Sequence, residues 1–209
     1  MELLETHTPV DVAVDFIAER LRAAIAERGQ AVLMLSGGSS PRPVHEGLSE
    51  ADLDWSKVRV GLVDERMDPA GSNAVFVVDS LFRNAARAAT FVGIHPGGYT
   101  DMVPADVCVM GMGADGHTAS WFPDSPDLAR ALDMGNADIV MHVDAEGCEG
   151  AGAYPQRLTL TRAAVMRARD ILLFIPGAKK REVFHNREGL PIASLDGAAQ
   201  MTVLMEPAP

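Results

Sequence analysis

The sequence predicts an α/β protein in which helices cover both faces of an open, mostly parallel sheet. Apolar segments of strand length alternate along the chain with helical segments. Some strand segments, such as AVLML at residues 31–35, are apolar at successive positions, which is typical of parallel strands buried on both faces. The 209 residues are enough for one well-buried domain, and we expect a single domain over residues 1–209.

The first helix is predicted within residues 6–29, where Thr8 is a suitable N-cap, Pro9 occupies the first helical position and Gly29 ends the apolar periodicity. After it, the strand at 31–35 leads through the turn SGGSSP into a helix that begins with proline. The remaining predicted elements are, in order, a strand ending in charges at 58–66, a helix at 73–86, strands at 105–113 and 138–144, a short helix at 161–168, a strand at 170–177, the start of a helix at 178–186 and a closing strand at 199–206.

Composition and charge restrict the possible functions. The net charge of −11 argues against a nucleic-acid surface, which needs a basic stripe. The chain contains no apolar run long enough for a membrane span, and residues 1–8 lack the features of a secretory signal, so we expect a cytoplasmic protein. Cys108 and Cys148 are expected to be reduced thiols. A phosphorylated substrate would have to be held by a local group of Arg, Lys and backbone N–H donors.

The turns that follow the strands carry the candidate site residues, because ligands of open α/β sheets bind at the carboxyl ends of the strands. One such turn, GMGADGH, fits the dinucleotide pattern G-x-G-x-x-G with Gly111, Gly113 and Gly116. However, Pro123 leaves room for only a short helix after it, and the pattern between the turn and the acidic residues Asp133 and Asp138 does not fit the dinucleotide fingerprint. The same turn carries His117 with Asp115 two residues earlier, a carboxylate that could orient the imidazole. A structural histidine is the alternative.

The turn SGGSSP could cradle a phosphate through backbone N–H groups and the hydroxyls of Ser39 and Ser40. It lacks the Gly-Lys-Ser/Thr ending of a nucleotide P-loop, and a tight turn with a helix cap is an equal alternative. Further along the chain, Asp64, Glu65 and Arg66 directly follow an apolar strand, where solvated surface charges are the ordinary interpretation.

Basic residues supply a second possible part of an anion site. Arg157 lies in RLTLT, and Lys179, Lys180 and Arg181 lie at a predicted helix start, where their charge opposes the helix dipole. A bound anion would account for this placement. The histidines show no H-E-x-x-H or similar spacing, so no metal site is predicted.

Taken together, these motifs resemble the 6-phosphogluconolactonases. The segments LSGGSSPRPVHEGL, VDER, SN at 72–73, GMGADGHTASWFP, RLTLT and GAKKREVF occur in the family's order, from about residue 31 to the C-terminus. The resemblance implies a Rossmann-like fold similar to that of glucosamine-6-phosphate deaminases and ribose-5-phosphate isomerases. The deaminases resemble this chain less, because they carry an aromatic residue in place of Arg66 and continue differently at TASWFP. Between Asn73 and Gly111 the chain is shorter than is usual in the family.

The resemblance implies hydrolysis of 6-phosphoglucono-1,5-lactone to 6-phosphogluconate, the second step of the oxidative pentose phosphate pathway, with no cofactor. His117 would activate the attacking water and Asp115 would orient the imidazole. Arg66 would stabilise the oxyanion or hold the sugar hydroxyls, while Asp64 and Glu65 fix the loop. A glucosamine-6-phosphate deaminase or isomerase, or a non-catalytic sugar-phosphate-binding protein, is the alternative function.

The implied partner is therefore a small phosphorylated sugar lactone, with no nucleic acid and no membrane. By the same resemblance, the residues expected to hold the substrate, in addition to Asp64 and Glu65, are Gly37, Gly38, Ser39, Ser40, Arg157 and Lys180.

Overall fold

Ten strands form two sheets in the computed structural model, which describes residues 1–208. In chain order the strands are β1 (Glu2–Glu5), β2 (Ala31–Leu35), β3 (Val58–Leu62), β4 (Asp64–Arg66), β5 (Thr90–Phe91), β6 (Val107–Met110), β7 (Val140–Asp144), β8 (Gln156–Leu160), β9 (Asp170–Ile175) and β10 (Met201–Met205). Seven of them form one sheet in the order β1-β10-β9-β6-β2-β3-β5, and every neighbouring pair in it is parallel. The predicted open, mostly parallel α/β fold is confirmed.

A smaller antiparallel sheet, in the order β4-β8-β7, was not predicted. The segment at 58–66 is not one strand, because its charged end, β4, pairs with β8 rather than with the large sheet. Val63 is the point of division. Its N–H donates to the carbonyl of Leu35 in the large sheet (3.0 Å), and its own carbonyl accepts from the N–H of Leu160 in the small sheet (2.8 Å). Both sheets contribute to the same buried apolar core.

Six α-helices accompany the strands: α1 (Pro9–Arg28), α2 (Arg42–Leu48), α3 (Asn73–Leu81), α4 (Leu128–Leu132), α5 (Arg162–Val165) and α6 (Ala178–His185). Thr8 and Gly29 flank α1 as predicted, although the Thr8 side chain makes no capping hydrogen bond. The helix predicted at 73–86 ends at Leu81, and a 3₁₀ turn over Asn84–Ala88 follows it. No helix among residues 1–208 combines the length and the apolar character needed to cross a membrane, and the cytoplasmic location stays a prediction.

The topology places one crevice at the carboxyl edge of the large sheet. The neighbours of β2 are β3 on one side and β6 on the other, so the chain leaves β2 in one direction and later returns on its opposite side. At such a switch point the turns that follow the two adjacent strands diverge and leave room for a ligand. Here these turns are residues 36–41, after β2, and 111–117, after β6. Since β9 adjoins β6, the turn before α6 reaches the same edge.

Candidate active site

A cavity of about 260 Å³ lies in this crevice. Most residues predicted from the sequence line it: Gly37, Gly38, Ser39, Ser40, Asp64, Arg66, His117, Arg157 and Lys180. Asp115 and Glu65 are not among the lining residues. The structure thus brings together the turns after β2 and β6, strands β4 and β8, and the first turn of α6.

His117 and Asp115 form a hydrogen-bonded pair at one side of the cavity. Nδ1 of His117 lies 2.5 Å from Oδ1 of Asp115, and the same oxygen accepts from the backbone N–H of His117 at 3.2 Å. Because an ionised carboxylate can only accept, Nδ1 carries the hydrogen and Nε2 of the neutral ring keeps its lone pair. Burial opposes ionisation of Asp115, but its hydrogen bonds and charge interaction with His117 lower its pKa below the usual value. The pair has the arrangement of an oriented general base.

Two of the three glycines of the G-x-G-x-x-G pattern are explained by close packing around this turn. A side chain at Gly113 would overlap the His117 ring, and Gly116 has a φ of 78° with Leu190 packed against its Cα. The first helix after the turn, α4, begins only at Leu128. Gly113 therefore makes room for His117, and no long crossover helix follows the turn as a dinucleotide-binding turn requires.

Lys180 contributes a positive charge to the lining of the cavity. Nζ of Lys180, in the first turn of α6, lies 3.0 Å from Oγ of Ser40 in the turn after β2. Burial lowers the pKa of Lys180. The basic run at this helix start has divided roles: Lys179 is exposed, Lys180 lines the cavity, and Arg181 lies 3.5 Å from the carboxylate of Glu5.

A buried polar network that includes Asp64 and Arg157 also lines the cavity. Oδ2 of Asp64 accepts a hydrogen bond from Oγ of Ser120 (2.7 Å) and lies 3.5 Å from Nη1 of Arg157. The amide of Asn73 donates to the carbonyl of Asp64 at 2.9 Å. Arg157 is almost completely buried, and this desolvation lowers its pKa although Asp64 opposes the shift.

Glu65 and Arg66 point in different directions from β4. The Glu65 carboxylate accepts hydrogen bonds from Oγ of Ser72 (3.0 Å) and from the backbone N–H groups of Asn73 (2.5 Å) and Ala74 (2.8 Å), at the start of α3. It satisfies donors that a helix N-terminus leaves free. Arg66 lines the cavity and donates from Nη1 to the carbonyl of Gly71 at 2.6 Å.

The candidate set lacked several residues that line or support the cavity, among them Asn73, Ser120 and Gly150. Asn73 and Ser120 lie in the motifs SN and DGHTAS, so the resemblance contained a signal for both. Gly150 lines the cavity from the segment between β7 and β8, and nothing in its local sequence marks it. Among residues 1–208, no three His, Cys, Asp or Glu side chains group to form a possible metal site. The absence of a metal from the reaction stays a prediction.

A parallel α/β sheet with a cationic turn and an oriented histidine at its switch point is typical of enzymes that act on small phosphorylated molecules. The sequence model of the glucosamine-6-phosphate isomerases/6-phosphogluconolactonase family matches residues 6–203. The chain belongs to this family.

Within the family, the chain is similar to 6-phosphogluconolactonases. It is 45% identical to the 6-phosphogluconolactonase of Mesorhizobium japonicum over 185 residues, which cover 80% of this chain and 76% of the relative. The crystal structure of a 6-phosphogluconolactonase from Shewanella baltica superposes with a TM-score of 0.86 at 30% identity, covering 98% of this chain and 95% of that one. A monomeric glucosamine-6-phosphate deaminase shares the fold at 19% identity, with a TM-score of 0.71 and coverage of 99% and 97%. The resemblance predicted from the motifs is confirmed, as is the prediction of a hydrolase family.

Proposed function

We propose that the protein hydrolyses 6-phosphoglucono-1,5-lactone to 6-phosphogluconate. One observation carries the proposal: the His117–Asp115 pair and the Lys180–Ser40 pair border the same cavity. The relatives' names supply the substrate. The motifs on which the family resemblance rests include the residues of both pairs. This reaction is the second step of the oxidative pentose phosphate pathway.

The phosphate binds at the cationic side of the cavity. Lys180, Ser39 and Ser40 line the cavity together with Gly37 and Gly38, so an ammonium group, two hydroxyls and backbone N–H groups are available as donors. Arg157 adds a second positive charge to the same cavity. The net charge of the chain is −11, so this local group of donors is what attracts a dianionic phosphate. Binding there holds the lactone carbonyl near His117, and such positioning lowers the barrier by several kcal/mol.

The chemistry takes place at His117. Nε2 of His117 accepts a proton from a water molecule as the water oxygen attacks the lactone carbonyl carbon. The tetrahedral intermediate collapses, the bond between that carbon and the ring oxygen breaks, and the imidazolium returns its proton to the departing oxygen. The product is an open-chain acid with a free hydroxyl. Asp115 holds the imidazole through Nδ1–H and stabilises the positive ring between the two proton transfers.

The developing oxyanion requires a positive partner. Arg66 lines the cavity, and Gly71 fixes one end of its guanidinium, so its remaining donors stabilise the oxyanion or hold the sugar hydroxyls. Asp64 and Glu65 act indirectly. Asp64 holds Arg157, and Glu65 ties the end of β4 to α3. The lactone is a reactive ester, and a positioned base with charge stabilisation is sufficient for its hydrolysis.

The test is a pH-stat assay with freshly prepared 6-phosphoglucono-1,5-lactone, in which the spontaneous rate is subtracted. We expect enzyme-dependent release of acid and no release of ammonia from glucosamine 6-phosphate. Ammonia release without lactone hydrolysis would instead assign the deaminase reaction. Binding of 6-phosphogluconate with lactone decay at the spontaneous rate would identify a non-catalytic sugar-phosphate-binding protein.

A further inference from the structure

The segment at residues 145–155, between β7 and β8, closes over the His117–Asp115 pair; we call it the Gly150 loop. At Gly150 the loop comes so close that a Cβ atom would overlap Oδ2 of Asp115 and lie 2.6 Å from Nδ1 of His117. The φ angle of Gly150 is not among the positive values of the chain, so the backbone itself would accept alanine. Glycine is required here by the contact with the pair and not by the backbone conformation.

Arg157 holds this loop in place. Its Nε donates to the carbonyl of Tyr154 at 2.5 Å, and its Nη2 donates to the carbonyl of Ala151 at 2.9 Å. The two accepting carbonyls lie on the C-terminal side of Gly150, in the same loop. A planar guanidinium can make both bonds at once, which an ammonium group cannot do with the same geometry.

Arg157, which holds the loop, is itself connected to the rest of the site through Asp64. Nη1 of Arg157 lies 3.5 Å from Oδ2 of Asp64, which also accepts from Ser120 at 2.7 Å. Only 4% of Arg157 is exposed, so its bonds to the loop are shielded from water. The base of the loop is closed by a hydrogen bond from the N–H of Ala145 to the carbonyl of Pro155 at 3.0 Å. The loop therefore has a fixed position relative to β4 and β8.

We propose that Arg157 and the Gly150 loop position the catalytic histidine, in addition to the charge that Arg157 gives to the phosphate end of the cavity. The loop covers the Nδ1–H···Oδ1 hydrogen bond, excludes water from it and prevents the imidazole from turning. Nε2 is thereby kept facing the cavity. Arg157 and Gly150 act through His117, so both are positioning residues. The kinetic part of this inference rests on the proposed function, whereas the state of the His117–Asp115 hydrogen bond can be measured without any substrate.

The first test is Gly150→Ala, with Glu149→Ala as its control because Glu149 is an exposed neighbour in the same loop. We expect Gly150→Ala to lower kcat tenfold to about a hundredfold, since displacement of a catalytic group by about 1 Å has effects of this size, while KM changes less than about twofold. In proton NMR, the downfield resonance of the His117 Nδ1–H, assigned by its absence in His117→Asn, should shift or broaden in Gly150→Ala and remain in Glu149→Ala.

The second test separates positioning from phosphate binding. Arg157→Lys keeps a positive charge but loses the double contact with the loop. We expect it to lower kcat and to perturb the same NMR resonance in the absence of substrate. If Arg157 acted only on the phosphate, Arg157→Lys would raise KM and leave the resonance unchanged. This result would overturn the positioning role of Arg157. If Arg157→Lys does not fold, Gly150→Ala still decides the matter.

The two proposals fail in different ways. A wild-type protein without lactonase activity, whose His117 resonance nevertheless responds to both substitutions, would remove the proposed function and leave the positioning role intact. An active wild-type enzyme whose kcat and resonance are both unaffected by Gly150→Ala would remove the positioning role and leave the function intact.

Discussion

The ammonium nitrogen of Lys180 lies 3.0 Å from the hydroxyl oxygen of Ser40, and the two residues are 140 positions apart in the chain. The contact joins the turn after β9 to the turn after β2, across the end of β6. Lys180 is half-buried, and its desolvation is unfavourable for a charged amine unless an anion compensates it. A phosphate at this position would provide the compensation.

Removal of this ammonium group should therefore mainly weaken binding. For Lys180→Ala we expect a KM for the lactone that is raised roughly tenfold or more, because a charge-assisted contact to phosphate is lost, with a much smaller change in kcat. Lys179→Ala is the matched control, since Lys179 is the exposed neighbour on the same helix. Steady-state kinetics and titration with 6-phosphogluconate measure the effect. Equal KM values for the two variants would contradict the assignment of Lys180.

The imidazole of His117 should dominate turnover. We expect His117→Ala to lower kcat by about a hundredfold or more while affinity for 6-phosphogluconate is retained, because a general base contributes to the transition state and little to product binding. His142→Ala, at an exposed position on β7, is the control. The measurement is the background-corrected lactonase rate at saturating substrate. A wild-type rate in His117→Ala would exclude the proposed base.

The sequence predicted those parts of the fold that carry their own pattern. β2 is buried at all five positions, and an uninterrupted apolar run is the expected signal of such a strand. β1 has no such signal, because it is an edge strand whose residues are mostly exposed. The division of 58–66 into two strands depends on Val63 bonding to both sheets, which is a tertiary contact that local pattern cannot show.

The site residues also divide into those marked by a local sequence pattern and those that depend on tertiary contacts. His117 and Ser40 lie in recognisable motifs, so the sequence could place them. Gly150 could not be found, because the need for glycine there arises from the approach of a loop to Asp115, more than thirty residues away in the chain. Nor could the sequence distinguish Glu65, which binds the start of α3, from Asp64 beside it, which lines the cavity.

The free energy of unfolding should depend on Asp106, which lies at the amino end of β6, away from the cavity. This buried carboxylate accepts from the backbone N–H of Val32 at 2.8 Å, contacts Arg28, and lies 3.3 Å from Nε of Arg169. We expect Asp106→Asn to lower the free energy of unfolding by about 2 kcal/mol, because a buried acceptor and the charge that pairs with two arginines are lost. Asp101→Asn, at an exposed position, should change it by less than about 0.5 kcal/mol.

Urea unfolding measures this difference, and kinetics of the folded variant add a second check. Asp106 precedes β6, whereas the cavity lies beyond its other end, so kcat should be unchanged in the folded enzyme. Equal unfolding free energies for the Asp106 and Asp101 variants would show that the buried carboxylate contributes nothing.

His45 lies on α2, fully buried and away from the cavity, and makes stability depend on pH. Oγ of Ser80 donates to the carbonyl of Phe76 (2.8 Å), so its oxygen is left to accept from Nδ1–H of His45 at 2.9 Å. Nε2 then has no hydrogen-bond partner within residues 1–208. Burial, assisted by the positive charge of Arg42, lowers the pKa of His45 from 6.5 to about 4. The folded protein therefore resists protonation of this ring.

Below pH 6.5 the unfolded chain binds a proton at His45 that the folded chain does not bind until about pH 4. The neutral His45 ring therefore contributes roughly 3 kcal/mol to the free energy of unfolding above pH 6.5. This contribution is lost as the pH falls from 6.5 to about 4. The difference in unfolding free energy between wild type and His45→Gln, measured by urea unfolding from pH 7 to pH 4, should shrink or change sign as the pH falls. Ser80→Ala keeps the ring and should retain the pH dependence of the wild type, although it is less stable throughout. Parallel curves for wild type and His45→Gln would mean that the ring is protonated equally in the folded and unfolded states.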